Sequence, residues 1–205
     1  MSQSSKSSYV IALAGPSGAG KSTLLHELSV RFGGAVVLRI DEYEATSTFP
    51  DTAEWLANGA DPNAFLSPQF VADLHALRSG NTIVAPDTTV CIQPTHVLLV
   101  EEPFGKARDQ MRNLIDFVVH VDIPLEIALA RKLLRQNAFL PWEQNPDVFI
   151  DHLREFLMWY LSVGRAFYIA VRKRVLEQCD LVVDGTSSTE AIVEMIVSAV
   201  QAKQP

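Results

Sequence analysis

Residues 15–23, GPSGAGKST, place three glycines, a lysine and several hydroxyls between the apolar run YVIALA and the helical pattern TLLHELSVRF. Gly15, Gly18 and Gly20 can adopt positive φ and let a ligand approach the backbone closely. Their spacing, Gly15, four residues, then Gly20-Lys21-Ser22, is that of a phosphate-binding loop, in which backbone N–H groups and a helix N-terminus face an anion. The candidate nucleotide-binding set is therefore Gly15, Pro16, Ser17, Gly18, Ala19, Gly20, Lys21, Ser22 and Thr23. In such a loop the N–H groups cradle the α- and β-phosphates, the lysine reaches the β- and γ-phosphates, and the serine ligates Mg²⁺. ATP and Mg²⁺ are the expected ligands.

Other chemistry-bearing residues stand at predicted strand ends. Asp41 ends VVLRID and could accept a proton from a hydroxyl nucleophile; as a turn or cap residue it would do neither. Glu101-Glu102 ends HVLLVEE, placed like an acidic residue that holds Mg²⁺, and Glu101 is preferred of the two. Arg131 and Arg135, four apart on a predicted helix, share a face that could clamp a transferring phosphoryl group, with Lys132 expected to point elsewhere. Arg165, in WYLSVGRAFY, should be paired, with a substrate anion or with a structural carboxylate. Tyr43, two residues past Asp41, is a candidate for lining the acceptor pocket. Phe65, Phe139, Trp142, Phe156, Trp159, Tyr160, Phe167 and Tyr168 read as core or lid packing.

The elements that must position these residues follow from periodicity. YVIALA, AVVLRI, TIVAP, HVLLVE, FVVHVD and LVVD are predicted strands, apolar throughout as parallel strands covered on both faces are. PQFVADLHALRS is predicted as a helix with Ser67 as cap, Pro68 at its first position and Gly80 as its stop, and PLEIALARKLLRQNA as another. Residues 147–179 read as one kinked helix or two, interrupted at Gly164. The fold class is α/β: a three-layer sandwich around a mostly parallel sheet of about five strands, of the P-loop kinase type. Ligands of such sheets bind at the carboxyl ends of the strands. Residues 1–8 read as a floppy tail, and residues 9–205 as a single domain with a lid segment around 131–146.

Composition narrows the function classes. The 205 residues are 48% hydrophobic and 20% charged, an ordinary globular balance. A net charge of −7 disfavours nucleic acid as a partner. No apolar run is long enough for a membrane span, and no leader pattern opens the chain, so a cytoplasmic location is expected. Cys91 and Cys179 are too few for a disulfide framework or a cysteine metal site and should be buried. The five histidines show no ligand spacing. A homo-oligomer is compatible with the sequence.

The order of motifs over residues 9–185 resembles the uridine kinase and phosphoribulokinase family of P-loop kinases, which also contains pantothenate and nicotinamide riboside kinases. It rests on GPSGAGKST, IDEYE, DPNAF, VLLVEE, VDIPLEIALARKLLRQ and YLSVGR. The resemblance implies an ATP-dependent kinase acting on a small-molecule alcohol, a nucleoside or a sugar-like or vitamin-like compound. It implies Asp41 as catalytic base, Glu101 as the Mg²⁺-associated carboxylate, Arg131 and Arg135 as lid arginines, and Arg165 near the acceptor. The segment PDTTVCIQPT lacks the His-Ser-Arg type signature with which uridine kinases hold the pyrimidine. The alternatives are a nucleotide-dependent switch or regulatory ATPase, and a nucleoside monophosphate kinase.

Overall fold

The computed structural model describes residues 7–86, 88–139 and 146–203, the side chains of 136–139 excepted. In chain order the regular elements are β1 (Tyr9–Ala14), α1 (Lys21–Arg31), β2 (Val36–Arg39), α2 (Thr52–Ala57), α3 (Pro68–Arg78), β3 (Ile83–Val84), β4 (Cys91–Ile92), β5 (Val97–Glu101), α4 (Asp109–Arg112), β6 (Phe117–Asp122), α5 (Leu125–Phe139), α6 (Pro146–Trp159), α7 (Arg165–Leu176), β7 (Leu181–Asp184) and α8 (Thr189–Lys203). Five strands form one parallel sheet in the order β2-β5-β1-β6-β7.

Alternation along each strand sends neighbouring side chains to opposite layers. Val10, Ala12, Ala14, Val100 and Val118 join Phe70, Leu74 and Leu77 of α3 and Val171 and Val175 of α7 in one buried cluster. Ile11, Leu13, Leu99, Val119 and Val121 join Leu24, Leu25 and Leu28 of α1 and Ile192, Ile196 and Val200 of α8 in the other. Helices thus cover both faces, the three-layer arrangement expected. The register brings Leu13 opposite Glu101 and Arg39 opposite the same Glu101. The ends of β1, β2 and β5 therefore lie side by side where the phosphate-binding loop begins.

Four expectations are corrected. TIVAP is not a strand of the main sheet: only Ile83 and Val84 are extended, paired antiparallel with Ile92 and Cys91 as a separate two-stranded ribbon. Only Ile83 of that strand is buried, so it lacks the two covered faces of a central strand. Cys91 is exposed and Cys179 half-buried, because neither lies on a core-facing position of the sheet. Ser8 is not part of a loose tail. It is buried, and its hydroxyl donates to the Thr95 carbonyl at 2.6 Å. Ser67 sits before α3 but caps it with no side-chain hydrogen bond, its hydroxyl being taken by Arg108. Residues 1–6 and 140–145, within the predicted tail and lid, lie outside the described residues, as does Trp142.

The stretch from 146 to 176 resolves into α6 and α7 joined by a π-helical turn, Tyr160–Gly164. Gly164 keeps ordinary helical torsions, so it is not there for backbone freedom. A Cβ at Gly164 would lie 2.4 Å from the Trp159 ring, and the glycine lets that ring close over the wide turn. A π turn inside an α-helix commonly marks a functional site. This one immediately precedes Phe167 and Tyr168.

Candidate active site

β1 delivers the chain into the loop 15–20, and α1 starts at Lys21 behind Gly20, whose φ of +93° is left-handed. No residue of the first turn of α1 is acidic, so the positive end of the helix dipole faces the loop without a competing carboxylate. Gly18 is required for a different reason. Its φ is +89°, and a Cβ there would sit 2.1 Å from the Ala128 carbonyl oxygen, so α5 lies directly on the loop. Lys21 Nζ donates to the carbonyls of Gly15 (2.8 Å) and Pro16 (3.0 Å) and stands 3.3 Å from Glu101 Oε1.

These groups open into a pocket of about 250 Å³ lined by Gly15, Ser17, Gly18, Gly20, Lys21, Ser22, Ile40, Asp41, Glu101, Pro103, Arg135, Phe167 and Tyr168. Of the candidate residues, Asp41, Glu101 and Arg135 therefore meet the loop. Pro16 lines an adjoining hollow, Ala19 is buried, and Thr23 is exposed outside the pocket. The hollow, about 460 Å³, lies over Asp122, Tyr168 and Arg172 and includes none of Lys21, Ser22, Asp41 or Glu101.

Asp41 is in the 3₁₀ turn Ile40–Thr46 that follows β2. The segment kinks at Tyr43, whose φ of −111° and ψ of 16° are not helical. Ile40 and Tyr43 are buried and Asp41 is exposed to the pocket. Tyr43 does not line it. Its hydroxyl donates to Asp73 Oδ2 at 3.0 Å, its ring meets Phe70 edge-on, and burial together with the Asp73 charge pushes its phenol well above the ordinary range.

The two glutamates part at the end of β5. Glu101 faces Lys21, whereas Glu102 is fully buried and paired with Arg108, so it adds no charge to the pocket.

The cations on α5 are arranged differently from the expectation. Ala128 fixes the face of α5 against Gly18, and Arg131, Lys132 and Arg135, three, four and seven residues further on, all start from that side of the helix. Lys132 Nζ is 3.4 Å from Ser17 Oγ and 4.7 Å above the Phe156 ring. Burial, then the nearby Arg135 charge, lowers its pKa, and Asp41 opposes this. Arg131 turns away and donates to the Gly185 carbonyl at 2.9 Å. Arg165 is exposed at the start of α7, lies outside the pocket, and has no ion pair among the described residues.

Sequence reasoning missed three site residues. No local signal marks Lys132, since its place depends on Ala128 lying against Gly18. Phe167 and Tyr168 were read as packing, yet both wall the pocket, and burial raises the Tyr168 phenol to about 12.

Beneath the loop, His120 of β6 pairs with Ala14 in the register and is 1% exposed. Neither ring nitrogen has a hydrogen-bond partner among the described residues, and Asp122 Oδ1, at 3.7 Å, is too far for one. Burial lowers its pKa against the smaller opposing pull of Asp122. The unfolded chain therefore binds this proton first as pH falls. Stability from this residue is full above about pH 6.5 and is lost as pH drops from there toward the lower native value. Denaturant unfolding at pH 7.5 and 5.5 should show a loss in the wild type that His120→Leu largely removes.

No family model matches the chain. It is 27% identical over 194 residues to a protein named uridine kinase from Borrelia hermsii (strain HS1 / DAH), an alignment covering 89% of this chain and 90% of that one. It is 23% identical over 211 residues to a uridine kinase of Staphylococcus aureus (strain JH9), covering 96% and 97%. Among solved structures, the Mycobacterium tuberculosis APS kinase CysC, in complex with AMPPNP and APS, matches with a TM-score of 0.56 at 16% identity over 95% of this chain and 98% of that one. The structure of APE1195 matches with a TM-score of 0.52 at 16% identity over 97% of both chains. The five-stranded parallel sheet, the phosphate-binding loop and these relatives together mark the chain as a P-loop phosphotransferase of the kinase type.

Proposed function

We propose that the chain transfers the γ-phosphoryl group of ATP to a hydroxyl of a small molecule, a nucleoside or a sugar-like or vitamin-like alcohol. The observation that carries the reading is that Asp41 shares one pocket with Lys21, Ser22, Glu101 and Arg135. A carboxylate across from a phosphate-binding loop suits removal of a proton from an acceptor alcohol.

The residues fit ATP and Mg²⁺. The space a Cβ would fill at Gly20 is open, which leaves the backbone free to meet phosphate oxygens. The two carbonyls that hold Lys21 are weaker partners for an ammonium group than phosphate, so the lysine can turn to the nucleotide. The Ser22 hydroxyl and Glu101 carboxylate offer hard oxygen donors, and Mg²⁺ typically binds through one or two such groups with phosphates and water completing its shell. When bound there, the ion offsets charge on the β- and γ-phosphate oxygens. Lys21, Lys132 and Arg135 add fixed positive charge where the transferring group loads its equatorial oxygens. Phe167 and Tyr168 wall the site against water.

The test is an ADP-release assay over uridine, cytidine, sugars and vitamin precursors with ATP and Mg²⁺, the rate without acceptor as baseline. Release stimulated by one of the alcohols is expected. A rate no higher than baseline with every acceptor would reject the reading. Independently, Lys21→Ala and Ser22→Ala should lose most of the ATP·Mg²⁺ thermal shift, since ligand at 100 times its Kd stabilises the native state by about 2.7 kcal/mol. An undiminished shift in Lys21→Ala would contradict the assignment of the loop.

A further inference from the structure

Glu101 and Glu102 are adjacent, and the reversal between them places one charge in the pocket and the other inside the protein. Glu102 and Arg108 are both 0% exposed and form an ion pair. Glu102 Oε1 also accepts the Phe104 N–H at 3.1 Å. Arg108 Nη1 donates to the Phe65 carbonyl at 2.9 Å and to the Ser67 hydroxyl at 2.8 Å, and Ser67 is itself buried. Arg108 Nε has no partner among the described residues.

Such a pair is a poor source of stability. Desolvation of two charges commonly outweighs their attraction, and apolar side chains of similar volume fill the space as well or better. What a guanidinium supplies and an apolar side chain does not is direction, because its planar fork fixes several acceptors relative to one another. Here the acceptors belong to the end of β5, which carries Glu101, and to the segment before α3.

That segment reaches the acceptor side of the pocket by two routes. The Phe65 ring packs 4.9 Å from Phe104, 5.3 Å from Trp55 and 6.1 Å from Phe167, and Phe167 walls the pocket opposite the loop. Leu66 exchanges two backbone hydrogen bonds with Thr48, at 2.8 and 3.0 Å, just past the turn that carries Asp41. We propose that Glu102 and Arg108 are a positioning pair for the acceptor alcohol, locking the Phe65–Ser67 segment, and through it Phe167 and the Asp41 turn, to the strand end that bears Glu101. The inference rests on the kinase reading and adds to it two residues outside the pocket.

The informative variant is the double substitution Glu102→Leu with Arg108→Met, which keeps the volume and strands no buried charge; Arg108→Met alone would leave Glu102 unpaired and is avoided. Wild type and double variant are compared in three measurements: ADP release with uridine, cytidine, ribose and pantothenate, the ATP·Mg²⁺ thermal shift, and amide hydrogen exchange of residues 61–67. The expected result is an unchanged ATP·Mg²⁺ shift and faster exchange at 61–67, in addition to that of Phe104, whose N–H loses its Glu102 acceptor. With it, kcat/KM for the fastest of the four alcohols should fall about tenfold or more, mainly through its KM. An unchanged acceptor KM overturns the proposal, as does a KM for ATP that rises in the same proportion. If the wild type binds ATP but turns over none of the four alcohols, the kinase reading is what fails. Exchange then decides on the lock alone: acceleration at 61–67 upholds the anchoring of that segment by the pair, and unaltered exchange at 61–67 rejects it.

Discussion

Asp41→Asn is expected to slow phosphorylation of the acceptor by about 10²- to 10⁴-fold, the usual contribution of a general base. The amide keeps the size of the carboxylate and cannot take the proton. Asp41 is exposed to the pocket and accepts no hydrogen bond from a helix N-terminus among the described residues, so the fold does not depend on its charge. The ATP·Mg²⁺ thermal shift and the midpoint of denaturant unfolding should therefore match the wild type. A drop in stability with unchanged turnover would make Asp41 a structural cap. A regulatory ATPase would behave differently again: its slow hydrolysis would show no acceptor stimulation for the substitution to remove.

The second large effect separates three cations on one helix. Removing a donor that faces developing charge commonly reduces kcat by about 10²- to 10³-fold. Lys132→Ala and Arg135→Ala should each fall in that range, with a much smaller change in the KM for ATP, because the charge they meet is greatest in the transition state. Arg131→Ala should leave kcat within a few-fold of wild type, its guanidinium being held at the Gly185 carbonyl. Steady-state kinetics of the three variants decide the matter. Equal losses for Arg131 and Arg135 would restore the face defined by the two arginines alone.

The contrast between Arg131 and Lys132 shows where the sequence stops being legible. Spacing places Arg131, Lys132 and Arg135 on one side of a helix, but does not say which of the three side chains reaches the loop. That depends on Ala128 lying against Gly18, a contact between segments more than a hundred residues apart. The loop itself was legible because its chemistry is local: glycine torsions, one lysine and three hydroxyls within nine residues. Asp41 and Glu101 were placed in the pocket by the rule that parallel strands present ligands at their carboxyl ends. Tyr43 lies inward rather than in the pocket because the turn after β2 kinks at it and its hydroxyl meets Asp73, a partner 30 residues away in the chain. Glu102 stands in the sequence as the second Mg²⁺ candidate beside Glu101, because no partner for it is visible nearby. Its partner Arg108 is itself oriented by Phe65 and Ser67, some forty residues away in the chain.

The π turn at Tyr160–Gly164 acts as a one-residue insertion in what would otherwise be a continuous α-helix. An extra residue in a helix advances everything after it by about 100° around the axis. The outer half, α6, and the inner half, α7, are thus out of phase: Phe167 and Tyr168 share α7 with the core residues Val171 and Val175, and the offset sets where α6 carries Phe156 relative to them. Deleting a single residue within 160–163 would restore an even helical pitch without changing any pocket side chain. It would rotate one half against the other, and since Val171 and Val175 anchor α7, the rotation would fall on α6, carrying Phe156 away from Lys132. The contact of Phe156 with Lys132 is in this sense tuned by a count of residues, a property that substitution cannot reach and that only insertion or deletion can alter.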